Sequence, residues 1–248
     1  MLSPSDATIV NFTTQSPSTV RFEWGIHGVE QVANLGGVAI IVDVLSFSTC
    51  VDIACSRNAQ VWPYRYKDAS ALAFARANDA VLASARSDGG LSLSPQSLQA
   101  IAQGTRLVLP SPNGSTLTLA CQAPIVLAGC LRNAAAVAAY VSRHPGPVTV
   151  VAAGEQWEDG TLRPAAEDLL GAGAIIHHLQ GSRSAEAAVA QAAFAGVRMQ
   201  LDAVVGACAS AVELVGRGFG ADVQLAAALN ASTCVPKLVN GAYVGVDA

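Results

Sequence analysis

Asp43 is the residue whose type and position most clearly predict chemistry. It follows five apolar residues, 38–42, and a carboxylate there is costly to bury unless it is paired or bound to a metal. The alternative interpretation of Asp43 is that its carboxylate only caps a helix. Glu155 follows another strand exit, whereas Glu167 and Asp168 begin a predicted helix, where the helix dipole alone would also explain them. Mg²⁺ takes one or two carboxylates from protein, so we expect Asp43, with Glu155 or Asp168, to supply the metal ligands.

Two turns rich in Ser and Thr each lie between a predicted strand and the predicted helix that follows it. Backbone N–H groups at a helix start, together with the helix dipole, favour an anion. Capping explains Ser48 and Ser115 equally well, and Asn113 with Gly114 also fits an ordinary turn. A third strand exit carries Arg132 and Asn133. The residues expected at an anion site from these exits are Ser46, Ser48, Thr49, Asn113, Gly114, Ser115, Arg132 and Asn133.

Familiar phosphate chemistries are excluded by spacing. Neither turn is a GxxxxGK[ST] loop or a GxGxxG fingerprint, so a nucleoside triphosphate or dinucleotide site is unsupported. Asp43 lacks the second aspartate of a DxD aspartyl-phosphate loop, and Cys50 and Arg57 are one position too far apart for a cysteine phosphatase loop. The four histidines show no metal-binding spacing.

The elements that must position these residues alternate between β-branched runs and alanine-rich helical patterns. This alternation predicts an α/β protein with a three-layer α/β/α fold and a mixed, largely parallel sheet. The predicted strands are 37–44, 60–64, 80–83, 106–109, 125–128, 147–152 and a closing edge strand at 237–244. The predicted helices are 48–57, 68–78, one opened by Ser94 and Pro95, one from 115, 133–142, three pieces within 164–216, and 222–229.

Composition bounds the class of protein. The 248 residues are 52% hydrophobic and 13% charged, which predicts one large core; we expect a single domain over 21–248 and a loosely ordered segment over 1–20. A net charge of −4 argues against a nucleic-acid partner.

No uncharged apolar run reaches the length of about 18 residues that a bilayer requires, and residues 1–17 do not resemble a signal peptide. Six cysteines without a CxxC pair favour free thiols, hence a cytoplasmic location. The apolar composition is compatible with homo-oligomerisation.

The ordered set of motifs resembles the 2-phosphosulfolactate phosphatase family, in a bacterial branch. The likeness extends from about Arg21 to the end of the chain. The segments that carry it are IVDVL with Ser48-Thr49, PNGS at 112–115, GCLRNA at 129–134, AGE at 153–155, EDLLGAG at 167–173, Gly218-Phe219 with Asp222-Val223, and Val235-Pro236. Two positions depart from the family: Ser46 stands where many members have arginine, and 91–95 reads LSLSP instead of the Gly-Asn-Ser-Pro stretch.

The resemblance implies an α/β/α fold and a Mg²⁺-dependent phosphatase that releases phosphate from 2-phosphosulfolactate, a step towards coenzyme M. It also implies that Asp43, Asn113, Asn133, Glu167 and Asp168 are site residues, and that Arg86 matches a family arginine. We therefore expect Arg132 or Arg86 to bind phosphoryl oxygens and Glu167 to orient the attacking water. Direct attack by water and a phospho-aspartate at Asp43 both remain open. The alternatives are a phosphatase for another small phospho-acid and a non-catalytic sensor of a phosphorylated or sulfonated acid.

Overall fold

The computed structural model describes residues 12–247, and a nine-stranded mixed sheet forms its centre. The strands are β1 Val20–Trp24, β2 Val38–Val42, β3 Gln60–Tyr64, β4 Val81–Leu82, β5 Arg106–Pro110, β6 Ile125–Gly129, β7 Val148–Ala152, β10 Val235–Val239 and β11 Ala242–Val246. Their order in the sheet is β1-β7-β2-β6-β10-β11-β3-β5-β4. Two short strands, β8 Glu155–Gln156 and β9 Leu162–Arg163, pair separately beside it.

Helices cover both faces of this sheet. They are α1 Gly25–Gln31, α2 Phe47–Ser56, α3 Ala69–Ala77, α4 Pro95–Leu98, α5 Gly114–Ala120, α6 Ala134–Val141, α7 Ala166–His178, α8 Ala185–Val197, α9 Leu201–Gly206, α10 Ala209–Gly216 and α11 Gly220–Ala227. Short 3₁₀ turns occur at Phe12–Thr14, Ala33–Leu35, Arg86–Asp88, Leu131–Asn133 and Arg198–Gln200.

Strand β2 shows why the sequence produces three layers. All five of its residues are buried, and successive side chains of a strand point to opposite faces. Val38, Ile40 and Val42 pack into the cluster that contains the apolar residues of α6, α7 and α8. Ala39 and Ile41 pack into the cluster formed with α1 and α5. The predicted three-layer α/β/α fold with a mixed, mostly parallel sheet is therefore confirmed.

The predicted closing edge strand at 237–244 is wrong. Two strands, β10 and β11, occupy this region as an antiparallel hairpin in the middle of the sheet. Asn240 and Gly241 connect them with φ values of 51° and 85°, as a tight hairpin turn requires. The dipeptide Asn-Gly between two apolar runs is the sequence signal for this hairpin.

The hairpin joins two groups of parallel strands. On one side β1, β7, β2 and β6 are parallel to one another, and β10 pairs antiparallel with β6. On the other side β3, β5 and β4 are parallel, and β11 pairs antiparallel with β3. Neither the edge strand β1 nor α1, which follows it directly, was predicted from the sequence.

One helical stretch, Ala185–Gly216, is long and apolar enough to cross a membrane by length and composition, with a third of its most apolar window buried. The sequence did not predict a membrane span here because Arg198 and Asp202 interrupt the uncharged apolar run. Its inward side chains, including Phe194 and Val205, pack in the main core, as core helices of folded proteins do.

All six cysteines lie within the described residues and are free thiols. Residues 1–11, most of the segment predicted to be loosely ordered, lie outside the described residues.

Candidate active site

A cavity of about 580 Å³ is lined by some of the residues that were predicted to form the site. Loops after β2, β3, β4, β5 and β7, together with α10, line it. Five of the predicted residues reach its lining: Asp43, Ser46, Arg86, Asn113 and Glu155. Helix α5 packs against β2 and β3, and this brings the loop after β5 to the end of β2.

Asp43 is held by the first turns of two helices. Its Oδ1 accepts a hydrogen bond from the N–H of Phe47, at 3.1 Å, and its Oδ2 accepts one from the N–H of Gly114, at 2.9 Å. These bonds offset part of the cost of burying the carboxylate, since the residue is only 6% exposed. Burial nevertheless raises the pKa of Asp43, and the charge of Glu167 adds to the rise. The N–H groups expected to bind phosphate at both helix starts are thus donated to Asp43 instead.

Asp168 accepts hydrogen bonds from residues that follow two adjacent strands, β2 and β7. Its Oδ1 accepts from the N–H of Val44, at 2.7 Å, and its Oδ2 accepts from the N–H of Gly154, at 2.8 Å. Burial raises the pKa of Asp168 well above its usual value, and the charges of Asp43 and Glu167 raise it further. Glu167 is buried beside it and is not part of the cavity lining.

Glu155 is the second predicted carboxylate in the cavity wall. Its Oε2 accepts a hydrogen bond from Asn113 Nδ2, at 2.9 Å. Burial raises the pKa of Glu155 to about 7, and the charges of Asp43 and Glu167 contribute. The carboxyl groups of Asp43, Glu155, Glu167 and Asp168 are therefore close enough to interact electrostatically, and of these four Asp43 and Glu155 line the cavity.

The donors at this end suit a hard divalent cation, although the described residues do not form a ready-made cage. Within residues 12–247 no three His, Cys, Asp or Glu side chains converge as a metal site. Mg²⁺ needs only one or two carboxylates when a phosphate and waters complete its coordination. Asp43 and Glu155 line the cavity, and each of their oxygens keeps a further lone pair after one hydrogen bond. Asp168, also expected as a ligand, accepts two backbone N–H bonds as Asp43 does, but it lies outside the lining.

Three cationic side chains, Arg86, Lys67 and Arg217, line the same cavity. Arg86 Nε donates to the carbonyl of Leu93, at 2.7 Å, and its Nη2 donates to Ser46 Oγ, at 2.9 Å. Of the other two, Arg217 is ion-paired with Glu213, at 2.9 Å between Nη1 and Oε1, and Glu213 and Asp68 line the cavity as well. Burial lowers the pKa of Lys67, and the nearby charges of Arg86 and Arg217 lower it further. Ser46, which stands where many family members have arginine, is thus bonded to an arginine from another loop.

Lys67 and Arg217 were absent from the sequence-based site. Lys67 follows β3, a strand exit from which no site residue was predicted. The available signal was its rarity, since the chain has two lysines, Lys67 and Lys237. Arg217 lies at the end of α10, and no strand exit points to it.

Three hydroxyl residues predicted to bind substrate stabilise the turns instead. Ser48 Oγ donates to the carbonyl of Asp43, at 2.7 Å, and Thr49 Oγ1 donates to the carbonyl of Val44, at 2.8 Å. Ser115 Oγ donates to the carbonyl of Leu109, at 3.1 Å. All three side chains are fully buried outside the lining.

Arg132 and Asn133, predicted as catalytic and substrate-binding, also lie away from the cavity. Arg132 Nε is 2.9 Å from Asp52 Oδ2 in a buried ion pair. Asn133 is fully buried; its Oδ1 accepts from the N–H of Cys130, at 2.9 Å, and its Nδ2 donates to the carbonyl of Ala128, at 3.3 Å. The sequence placed both residues after β6, but their partners turn them away from Asp43.

The chain is thus a three-layer α/β/α protein with a cavity lined by both carboxylate and cationic side chains at the ends of its strands. A family model described as 2-phosphosulpholactate phosphatase matches residues 26–241, and the chain belongs to this family. The chain is also 42% identical, over 84 residues, to a probable 2-phosphosulfolactate phosphatase of Thermosynechococcus vestitus. That match covers 34% of this chain and 33%, about a third, of the relative.

Proposed function

We propose that the chain is a Mg²⁺-dependent phosphomonoesterase that hydrolyses 2-phosphosulfolactate to sulfolactate and phosphate, or acts on a similar small phospho-acid. The observation that carries the proposal is that one cavity is lined both by the carboxylates Asp43 and Glu155, here called the acidic wall, and by Arg86, Lys67 and Arg217, here called the cationic wall. Family membership supports the reaction class. A phosphate ester that bears a second acid group matches both walls.

Asp43 and Glu155 would hold Mg²⁺ on the acidic wall. The ion would supply neutralising charge at the phosphoryl oxygens and lower the pKa of a bound water. Arg86 would bind the phosphoryl oxygens, and its hydrogen bonds to Leu93 and Ser46 fix the guanidinium in advance, so that little reorganisation accompanies the reaction. Lys67 and Arg217 would bind the second acid group and orient the substrate.

Direct attack by water is favoured over a phospho-aspartate. Both carboxylate oxygens of Asp43 already accept backbone N–H bonds, which reduce their nucleophilicity and fix their positions. Glu167, predicted to orient the water, is buried behind the cavity wall, so we assign it an electrostatic influence on Asp43 and Asp168.

Phosphate release from a panel of esters tests the proposal. The panel contains 2-phosphosulfolactate, phospholactate, phosphoglycolate and p-nitrophenyl phosphate, each assayed with Mg²⁺ and with chelator. We expect chelator-sensitive turnover that is fastest on an ester with a second acid group. Equal turnover of p-nitrophenyl phosphate would contradict the role of the cationic wall, and turnover unaffected by chelator would contradict the metal.

Asp43→Asn separates an enzyme from a sensor. We expect this variant to lose turnover, because the amide weakens metal binding. Asp52→Asn is the matched control, since Asp52 is also a buried aspartate but pairs with Arg132 outside the cavity. A wild-type protein that binds phospholactate without hydrolysing any ester, and an Asp43→Asn variant that binds it equally well or better, would identify a non-catalytic sensor.

A further inference from the structure

Arg86 is held by contacts from several distant segments. It lies in the 3₁₀ turn Arg86–Asp88, and its side chain is 16% exposed. The carbonyl of Leu93 and the hydroxyl of Ser46 accept its N–H groups, and the ring of Phe219 lies 5.3 Å from the centre of the guanidinium. The guanidinium is thus presented to the cavity in one fixed orientation.

Asp222, on α11, approaches the same guanidinium from the protein interior. Its side chain is 1% exposed, and its Oδ2 lies 4.0 Å from Arg86 Nε. Its Oδ1 accepts two hydrogen bonds, from Ser94 Oγ at 2.7 Å and from the N–H of Gln96 at 2.9 Å. Its Oδ2 is buried and accepts no hydrogen bond from the described part of the chain.

The two carboxylate oxygens of Asp222 therefore have different roles. Oδ1 caps the first turn of α4, which is a purely structural role. Oδ2 would be costly to bury without compensation, and the charge it faces is that of Arg86. A neutral acceptor at Oδ1 would cap α4 equally well, so the cap does not explain why this position holds a carboxyl group.

We propose that Asp222 is a positioning residue for Arg86. Its charge keeps the guanidinium oriented towards the phosphoryl group, although Asp222 itself does not line the cavity. The proposal rests on the proposed function, because it assigns Arg86 to phosphate binding. Asp222→Asn isolates the charge: the amide oxygen still accepts from Ser94 and Gln96, while the Arg86 guanidinium loses its counter-charge.

The chain offers a matched pair for comparison. Asp52 is also a buried carboxylate that binds an arginine and a serine, through Arg132 Nε at 2.9 Å and Ser232 Oγ at 2.6 Å. Because this pair lies outside the cavity, Asp52→Asn should lower thermal stability without altering KM, kcat or phosphate affinity.

The test is a double-mutant cycle of Asp222→Asn and Arg86→Ala. It is read by KM and kcat on the best substrate of the panel and by calorimetric affinity for inorganic phosphate. We expect Asp222→Asn to raise KM and to weaken phosphate binding on the order of tenfold in the wild-type background. In the Arg86→Ala background it should change neither quantity, because its effect passes through Arg86. Equal effects in both backgrounds, or none in wild type, would overturn the proposal.

Thermal unfolding of each variant shows whether Asp222→Asn folds. If it does not, Ser94→Ala replaces it, since that change removes one hydrogen bond from Asp222 and keeps its charge. Ser94→Ala leaves the charge of Asp222 in place but holds the carboxylate by one hydrogen bond fewer, so a smaller loss of phosphate affinity that is again abolished in the Arg86→Ala background would support the proposal. Additive losses would overturn it.

The phosphate measurement also separates the two proposals. A protein that hydrolyses none of the esters but shows the non-additive loss of phosphate affinity would contradict the proposed function and support the role of Asp222. An active protein whose Asp222→Asn variant behaves as wild type would support the proposed function and contradict the role of Asp222.

Discussion

Asp43 depends on a close approach that only glycine permits. A Cβ on Gly114 would lie 2.3 Å from Phe47 Cδ1 and 2.8 Å from Asp43 Oδ2. The N–H of Gly114 is therefore bonded to the carboxylate at a point where α2 and α5 nearly touch. The orientation of the carboxylate that faces the cavity is fixed by this contact.

We expect Gly114→Ala to lower kcat/KM at least tenfold and to destabilise the protein by about 1–3 kcal/mol, because Phe47 and Asp43 must both move. Ester hydrolysis and denaturant unfolding measure the two effects.

Ser115→Ala is the control for this turn. It removes the bond to Leu109 at a cost of about 1 kcal/mol and leaves KM unchanged, since the hydroxyl does not reach the cavity. A large rise in KM for Ser115→Ala would restore the expectation from sequence that Ser115 binds substrate.

Glu155 predicts a dependence of stability on pH. Its pKa is raised to about 7 in the folded protein, so the folded state binds a proton more tightly than the unfolded state does. In chelator, this side chain therefore makes the free energy of unfolding fall as pH rises from about 4.5, its ordinary pKa, to about 7. Urea unfolding at several pH values should show a shallower decline for Glu155→Gln. Glu158→Gln, which changes an exposed neighbour, controls for net charge; an equal flattening there would contradict the assignment.

The acidic residues of the site were more predictable than the basic ones. Asp43 stood out because a carboxylate after a fully apolar strand has few inexpensive explanations. Arg132 was predicted from its place after β6, but the sequence does not reveal its ion pair with Asp52, 80 residues away, which lies outside the cavity. Lys67 and Arg217 reach the cavity only through tertiary packing, which no local pattern encodes.

At the scale of elements, helix α7 is packed tightly on both sides. A Cβ on Gly171 would lie 2.6 Å from Val44 Cγ2, and one on Gly173 would lie 2.1 Å from the carbonyl oxygen of Ala190 in α8. Because Asp168 lies in the first turn of α7, the spacing of these helices also positions the carboxylate that joins the exits of β2 and β7.

Gly173→Ala should therefore destabilise the protein by about 1–3 kcal/mol by forcing α7 and α8 apart. Gly196→Ala, in α8, has nothing within 4 Å of its added Cβ and should gain up to about 1 kcal/mol. Denaturant unfolding compares the pair, and equal effects would contradict the close approach of the helices.

The positions of most strands followed from the sequence because their apolar runs are short and β-branched, as in β2 and β3. The pairing of those strands did not follow. Residues 237–244 are apolar enough for one strand, and only the turn at Asn240-Gly241 distinguishes a hairpin from an edge. The partners of that hairpin, β6 and β3, are distant in sequence, so its central place in the sheet depends on long-range packing.

At the scale of the whole molecule, the hairpin is the connection between the two groups of parallel strands. Tyr243 on β11 is fully buried, packs edge-on against Phe47, and shares a 2.9 Å hydrogen bond with Thr118. The hairpin therefore contacts the helices α2 and α5 that hold Asp43.

We expect a chain that ends at residue 234 to lose cooperative unfolding and to aggregate, because both β6 and β3 become free edges. A chain shortened by residues 247–248 alone should remain folded. Size-exclusion chromatography and circular dichroism distinguish the two outcomes, and a folded, active protein ending at 234 would contradict the central role of the hairpin.

The same hairpin constrains how the protein is made in the cell. A ribosome synthesises every strand of both parallel groups before it reaches Val235, where β10 begins. Throughout that interval the nascent chain carries two apolar strand edges that will later be covered, and each can pair with a neighbouring nascent chain. Productive biosynthesis therefore depends on shielding these edges until the hairpin emerges, and a pause in translation shortly before residue 235 would increase misassembly.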